Sequence, residues 1–282
     1  MDIIINRLGD YSHLFDLCHI EYIDDEQLDI HLNLSFINPH DVLLLAQLSI
    51  FIKKKHLHIK RINIHGSVIT IDYLKDIGLI SFLRANYQQP RTISFINKRT
   101  AMPIRRVEQS SLEEYVYETL KYIGNICRGK ELTMLSVGIK ESINNVYDHA
   151  ESEIGAYVFC QYYPKLNVIR VCVSDYGQGI PTVVRRKYPD FSDGECLRWA
   201  LTEHNTTKSL PSNAGMGLSI IRNFSKTTSG ELTIWTGNCC YLCRSGGQER
   251  IIKNISGFKG TLIELDIHVD SLNDEEDISD TF

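Results

Sequence analysis

Apolar and polar positions divide the chain into segments of two periods. Leu28, Ile30, Leu32 and Leu34 alternate with Asp29, His31 and Asn33, the repeat of a half-buried strand. Asn38-Pro39 breaks that pattern, and Asp41 to Lys55 has helical apolar spacing with a lysine run at its end. A strand over Leu57 to His65 follows, then Gly66-Ser67 and a helix over about Ile71 to Leu83. Strand, helix, strand, helix is the order of α/β packing. Residues 87 to 110, with Pro90, Pro103 and Arg105-Arg106, interrupt the periodicity and read as a linker or an edge-strand connection.

Beyond the break, Ser111-Leu-Glu-Glu114 has the form of a capping box and predicts a helix to about Cys127. A second helix is predicted over Lys130 to His149. Strands are predicted over Gly155 to Tyr163 and Leu166 to Ser174, joined at Pro164-Lys165. From Thr182 to Ser212 the pattern is weak, apart from a short helix near Glu195 to Leu201. Gly215 to Phe224 reads as helix, and Glu231 to Trp235, a Gly/Cys-rich hairpin region and Gly260 to Val269 supply further strands. Residues 270 to 282 carry six acids and no base, as a solvated tail would.

Composition changes this picture little. The 282 residues are 43% hydrophobic and 23% charged, as in an ordinary soluble protein, and their length favours two domains or one large one. A net charge of -5 does not indicate nucleic acid as a partner. The N-terminus lacks the pattern of a signal peptide, and the longest apolar segment, Val42 to Ile52, is too short to cross a bilayer. Eight scattered cysteines suit reduced structural thiols, and a cytoplasmic protein is expected. Cys240 and Cys243 form one C-x-x-C without a second pair at zinc-site spacing, so a hairpin with thiols is expected there.

Three patterns carry chemistry. Glu141 and Asn145 share a helix face, which Asp148 and His149 extend by a further turn. Asn145 could give an oxygen to a hard cation, and Glu141 could take a proton from water or a hydroxyl. An apolar strand delivers Asp175-Tyr-Gly-Gln-Gly179, a carboxylate that needs donors if buried, beside Gly177 and Gly179, which allow close ligand approach. Gly215-Met-Gly217 then opens a helix whose unpaired N–H groups could hold phosphates, after Thr206-Thr207-Lys208. Taken singly, these are also an ordinary polar helix face, a tight turn and a glycine-rich helix start.

In this order, and with Gly260-Thr261 on a late strand, the patterns of residues 111 to 269 resemble the nucleotide pocket of the GHKL ATPases. The resemblance implies a Bergerat fold, a two-layer α/β sandwich on a mixed, largely antiparallel sheet. It implies bound ATP and Mg2+, with Glu141 as general base and Asn145 as magnesium ligand. Asp175 and Thr261 would meet adenine, with Asp148 in a supporting or adenine-side role. Gly177, Gly179, Thr206, Thr207, Lys208, Gly215 and Gly217 would surround the nucleotide, with 182 to 214 as a lid. His149 resembles the serine-kinase members of the superfamily and equally suits a histidine at a helix end.

Residues 1 to 90, with the Phe36-Ile-Asn-Pro39 turn and Tyr73-Leu-Lys-Asp-Ile-Gly78, resemble a degenerate STAS-like α/β interaction domain. The organisation expected is therefore residues 1–90, a linker over 91–110, an ATP-binding domain over 111–269 and an acidic tail over 270–282. Glu141 and the α/β character of the first unit point away from a typical histidine kinase. The chain ends soon after Gly260-Thr261, without the transducer domain that hydrolytic members use, so efficient hydrolysis is expected to need a partner chain or not to occur. The expected function is an ATP switch, driven by hydrolysis or serine phosphotransfer, with a protein partner or as a homodimer. The alternative is a non-catalytic ATP-binding interaction module.

Overall fold

The computed structural model describes residues 2–5, 27–33, 37–54, 58–84, 100–203, 205 and 217–275. Among these residues it is a mixed α/β structure with two sheets. The first is parallel, ordered β1 (Asp2–Ile5), β2 (Gln27–Asn33), β3 (His58–His65), and α1 (Pro39–Lys54) crosses over between the second and third strands. Pro39 at the first helical position needs no N–H partner, and Asp41 two residues on accepts the Asn38 N–H at 2.9 Å. The single helix expected over 71–83 is two, α2 (Val68–Asp76) and α3 (Leu79–Arg84). Gly78, at φ +85°, takes a conformation that ends one helix before the next begins.

The second sheet has five strands in the order β4-β5-β6-β8-β7: β4 (Arg105–Val107), β5 (Ala156–Tyr163), β6 (Val168–Ser174), β7 (Glu231–Cys243) and β8 (Glu249–His268). Every described pairing is antiparallel, where a mixed sheet was expected. Arg105–Val107 lies in the interval read as linker or edge connection, and it forms an edge strand. Met102 N–H also bonds the Cys160 carbonyl at 2.8 Å.

Alternation along the strands sorts side chains into two layers. Val158, Cys160, Ile169, Val171, Val173, Ile263 and Leu265 face a core shared with α4 (Leu112–Ile126), α5 (Thr133–Asn145) and α8 (Gly217–Thr227). Tyr157, Phe159, Cys172 and Leu262 face the other way, into a core with Leu43, Leu44, Leu45 and Leu83 of α1 and α3. The expected two-layer sandwich thus has its second sheet face covered by the first unit. Because both faces are buried, β6 reads as an almost continuous apolar run.

Polar contacts reinforce this second layer. His40 Nδ1 lies 2.5 Å from Glu264 Oε2, Ser174 Oγ donates to Gln47 Oε1 at 2.9 Å, and Tyr73 donates to Gln161 Oε1 at 2.5 Å. Arg170 forms a two-point pair with Asp266 beside Glu264. Burial pushes the Asp41 carboxyl up to about 7, against the lowering bond from Asn38.

Two further expectations change. Ser111 does not cap α4 through its side chain, but accepts the Glu108 N–H at 3.2 Å in a 3-10 turn preceding the helix. Residues 270–275 are not simply a solvated tail: Leu272 is buried, Lys130 pairs with Asp274 at 2.7 Å, and Glu131 N–H bonds the Asn273 carbonyl at 2.9 Å. Residues 276–282 lie outside the described residues.

A shared core predicts shared unfolding. Leu44→Ala, at a site 1% exposed, should cost about 2–5 kcal/mol and lower one common urea midpoint. Trp235 fluorescence, beside His40, and far-UV circular dichroism should give coincident curves for both proteins. Separate transitions would count against one cooperative body.

Candidate functional site

The first two motifs meet at the end of a helix. After Asn145, α5 continues as one π turn, Val146–Ala150, and Glu151 reverses direction at φ +49°. This wider turn, a feature found often at functional sites, alters which residues share the helix face. Val146, His149 and Ala150 line a cleft, whereas Asp148 is exposed and does not. Uniform α-helical spacing would have grouped Asp148 with Asn145.

The Ala150 carbonyl accepts the Gln178 N–H at 2.8 Å. Gly177 sits so close that an added Cβ would overlap this carbonyl, which accounts for glycine in the second motif. Asp175 lies just beyond β6 and is 3% exposed. Its Oδ1 accepts the Gly177 N–H at 2.7 Å, and the Thr261 backbone gives a second bond to the carboxylate. Burial is the larger influence and lifts this carboxyl to about 7, with both bonds acting in the opposite sense.

Gly260, at φ +104°, allows β8 to pass against Asp175, where a Cβ would strike the aspartate backbone. Thr236 fastens this region: its hydroxyl accepts the Ile180 N–H at 2.9 Å and donates to the Gly260 carbonyl at 2.9 Å. Gly179 begins α6 (Gly179–Arg185), a helix absent from the sequence-based expectation. Helix α7 (Asp193–Ala200) follows, with Ser192 and Glu195 as a reciprocal cap, close to the expected short helix.

The cleft encloses about 830 Å³ of space, open solvent included. Asp175 and Thr261 lie within it, beside an apolar wall of Ile180, Val183, Val184, Leu218 and Ile263. Trp199, Asn205, Ser142 and Asn145 contribute further lining. Glu141 lies beside the start of α8: a Cβ on Gly217 would come 2.9 Å from Glu141 Cβ, 3.4 Å from its Oε2 and 3.3 Å from Asn145 Nδ2. The structure therefore brings Glu141, Asn145, Asp175, Gly177, Gly179, Gly217 and Thr261 into one neighbourhood. Thr206, Thr207, Lys208 and Gly215 lie outside the described residues.

Sequence reasoning missed the apolar wall and Thr236. The run Ile180-Pro-Thr-Val-Val184 held the signal for the wall, because its valines follow Ile180 at helical spacing. Thr236, fully buried in a strand, carried no such mark. The site can take a flat apolar group against its wall, satisfy a donor at Asp175 and present a carboxylate and a carboxamide near a helix start.

Seven described cysteines are buried and unpaired, including Cys239, Cys240 and Cys243 in β7. Among the described residues no group of three His, Cys, Asp or Glu could hold a metal ion, and no helix is long and apolar enough to cross a membrane. Neither a protein-family model nor a curated protein matches this chain.

Asp175 should set part of the pH dependence of stability. Its folded value, about 7, exceeds its ordinary 3.8, so the neutral form stabilises the fold and that contribution is lost as pH rises through 7. Asp175→Asn should therefore show a smaller fall in Tm between pH 5 and 8 than wild type. Parallel Tm profiles would exclude this assignment.

Proposed function

We propose that the cleft binds Mg-ATP and that the chain is a GHKL-type nucleotide switch. The observation that carries this reading is Asp175, a buried carboxylate beside the apolar wall of the cleft, held by Gly177 and Thr261 N–H groups. A purine lies flat on such a wall, and an exocyclic amino group supplies the donor that a buried carboxylate requires. The antiparallel sheet with helices on the cleft side supports the Bergerat reading, and β2, α1 and β3 support a STAS-like first domain.

Asn145 would hold magnesium, which would offset phosphate charge; its place beside Gly217 and Glu141 fits that role. Glu141 would take the proton from a water or serine hydroxyl as that oxygen bonds the γ-phosphorus and the bond to departing ADP breaks, giving hydrolysis or phosphotransfer. The acceptor, a protein partner or a second copy, would respond to the nucleotide state of the switch. Buried, unpaired thiols support a reducing, cytoplasmic setting. A second reading, binding without turnover, is favoured by Glu141 lying beside Gly217 and outside the cleft lining.

Calorimetric titration of the full chain with Mg-ATP tests the nucleotide assignment. Asp175→Asn should weaken binding about 10- to 100-fold, the loss expected for a charge-assisted hydrogen bond. Because the amino donor favours ionised Asp175, wild-type affinity should rise about tenfold per pH unit below 7 and level off above it. Absence of wild-type binding, or equal affinity in the variant, would overturn the assignment.

Catalysis is tested separately with γ-labelled ATP. Glu141→Gln should keep nucleotide binding while release or transfer of label falls about 10²- to 10⁴-fold. Unchanged turnover would remove Glu141 as the base, and binding without turnover in wild type would establish the second reading.

A further inference from the structure

A second cavity lies among α7, α8 and the β7–β8 hairpin. It encloses about 670 Å³, open solvent included, and its lining includes Arg198, Arg222, Arg250, Tyr241 and Glu249. The lining carries three arginines and one carboxylate, with Glu195 within electrostatic reach of Arg198. Glu249 is already engaged by Arg222 at 2.7 and 2.8 Å, Lys226 at 2.5 Å and the Tyr241 hydroxyl at 2.8 Å. Those bonds, led by Arg222, hold its carboxyl down near 2, so the cluster retains a net positive charge at neutral pH.

Arg198 closes the last turn of α7 and Arg250 stands near the start of β8. Both are exposed, and neither has an ion-pair partner within 4 Å among the described residues. Two guanidinium groups from different elements therefore border a cavity whose carboxylate is already engaged. An exposed arginine alone needs no ligand; two at one concave opening, backed by Arg222, form an arrangement suited to an anion with several oxygens. Guanidinium forks match phosphate geometry and charge.

We propose that this cavity is a binding site for a phosphate dianion, free or as a monoester, with Arg198 and Arg250 as its principal contacts and Arg222 as the fixed cation behind them. The site is separate from the nucleotide cleft and does not depend on that reading. The two share α7 and α8: Trp199 and Leu218 line the cleft, while Arg198 and Arg222 line the second cavity.

The test is calorimetric titration of the full chain with inorganic phosphate and with phenyl phosphate, against chloride at matched ionic strength. Wild type should bind at least one phosphate probe saturably, and Arg198→Gln/Arg250→Gln should weaken that binding at least tenfold with circular dichroism unchanged. Preference for inorganic phosphate would identify a free ion as the ligand, and preference for phenyl phosphate an ester. Asn145→Ala, which alters the part of the nucleotide cleft assigned to magnesium and phosphate, should leave this binding intact, which separates it from phosphate occupying that cleft. Equal affinity in the double arginine variant, loss of binding in Asn145→Ala, or no preference over chloride would overturn the proposal.

Discussion

The rest of the structure depends on a polar seam where α1 meets the back of the five-stranded sheet. Arg170, Ser174, Glu264 and Asp266 project from β6 and β8 toward a helix carrying His40, Asp41 and Gln47. Buried ions require partners, and breaking a buried pair by deleting one member commonly costs about 3–5 kcal/mol. The leucines of α1 provide apolar burial, which has little directional preference. The fork from Arg170 to Asp266 and the His40–Glu264 contact add direction, fixing how the helix lies across the strands.

This seam is physically connected to the cleft. Ser174, bonded to Gln47, immediately precedes Asp175, while Glu264 lies three residues beyond Thr261. Tyr176 packs edge-on against Phe258 in the same core that includes the α1 leucines. Strands β6 and β8 consequently present a recess at one end and the docking surface of the first unit along one face. Withdrawal of α1 would expose Tyr157, Phe159, Leu262 and the charged groups beside them. The sheet and the first unit are therefore interdependent in the folded state.

Much of this was legible where one local rule acted alone. Alternating residues located β2, and the break at Asn38-Pro39 located the start of α1. Glu141, Asn145, Asp175 and Gly217 could be grouped because their order carried information beyond each short motif. Tertiary effects concealed the rest. Ser111 satisfied the capping pattern, but its side chain turned to Glu108. The helix widens into a π turn after Asn145, so helical periodicity misplaced Asp148. Glycines, asparagine and cysteines obscured the length of β7 and β8, and the acids after residue 269 concealed the buried anchor Leu272.

The alternation of side chains across the sheet also gives the protein a pair of internal chemical reporters. Cys160 in β5 faces the layer built by α4 and α5, while Cys172 in neighbouring β6 faces α1; both are fully buried. Desolvation keeps each sulfur protonated and poorly nucleophilic. An alkylating reagent reaches Cys160 only when the front helices separate from the sheet, and Cys172 only when α1 lifts from its back. Their relative labelling rates distinguish opening of one layer from opening of the other within a single polypeptide.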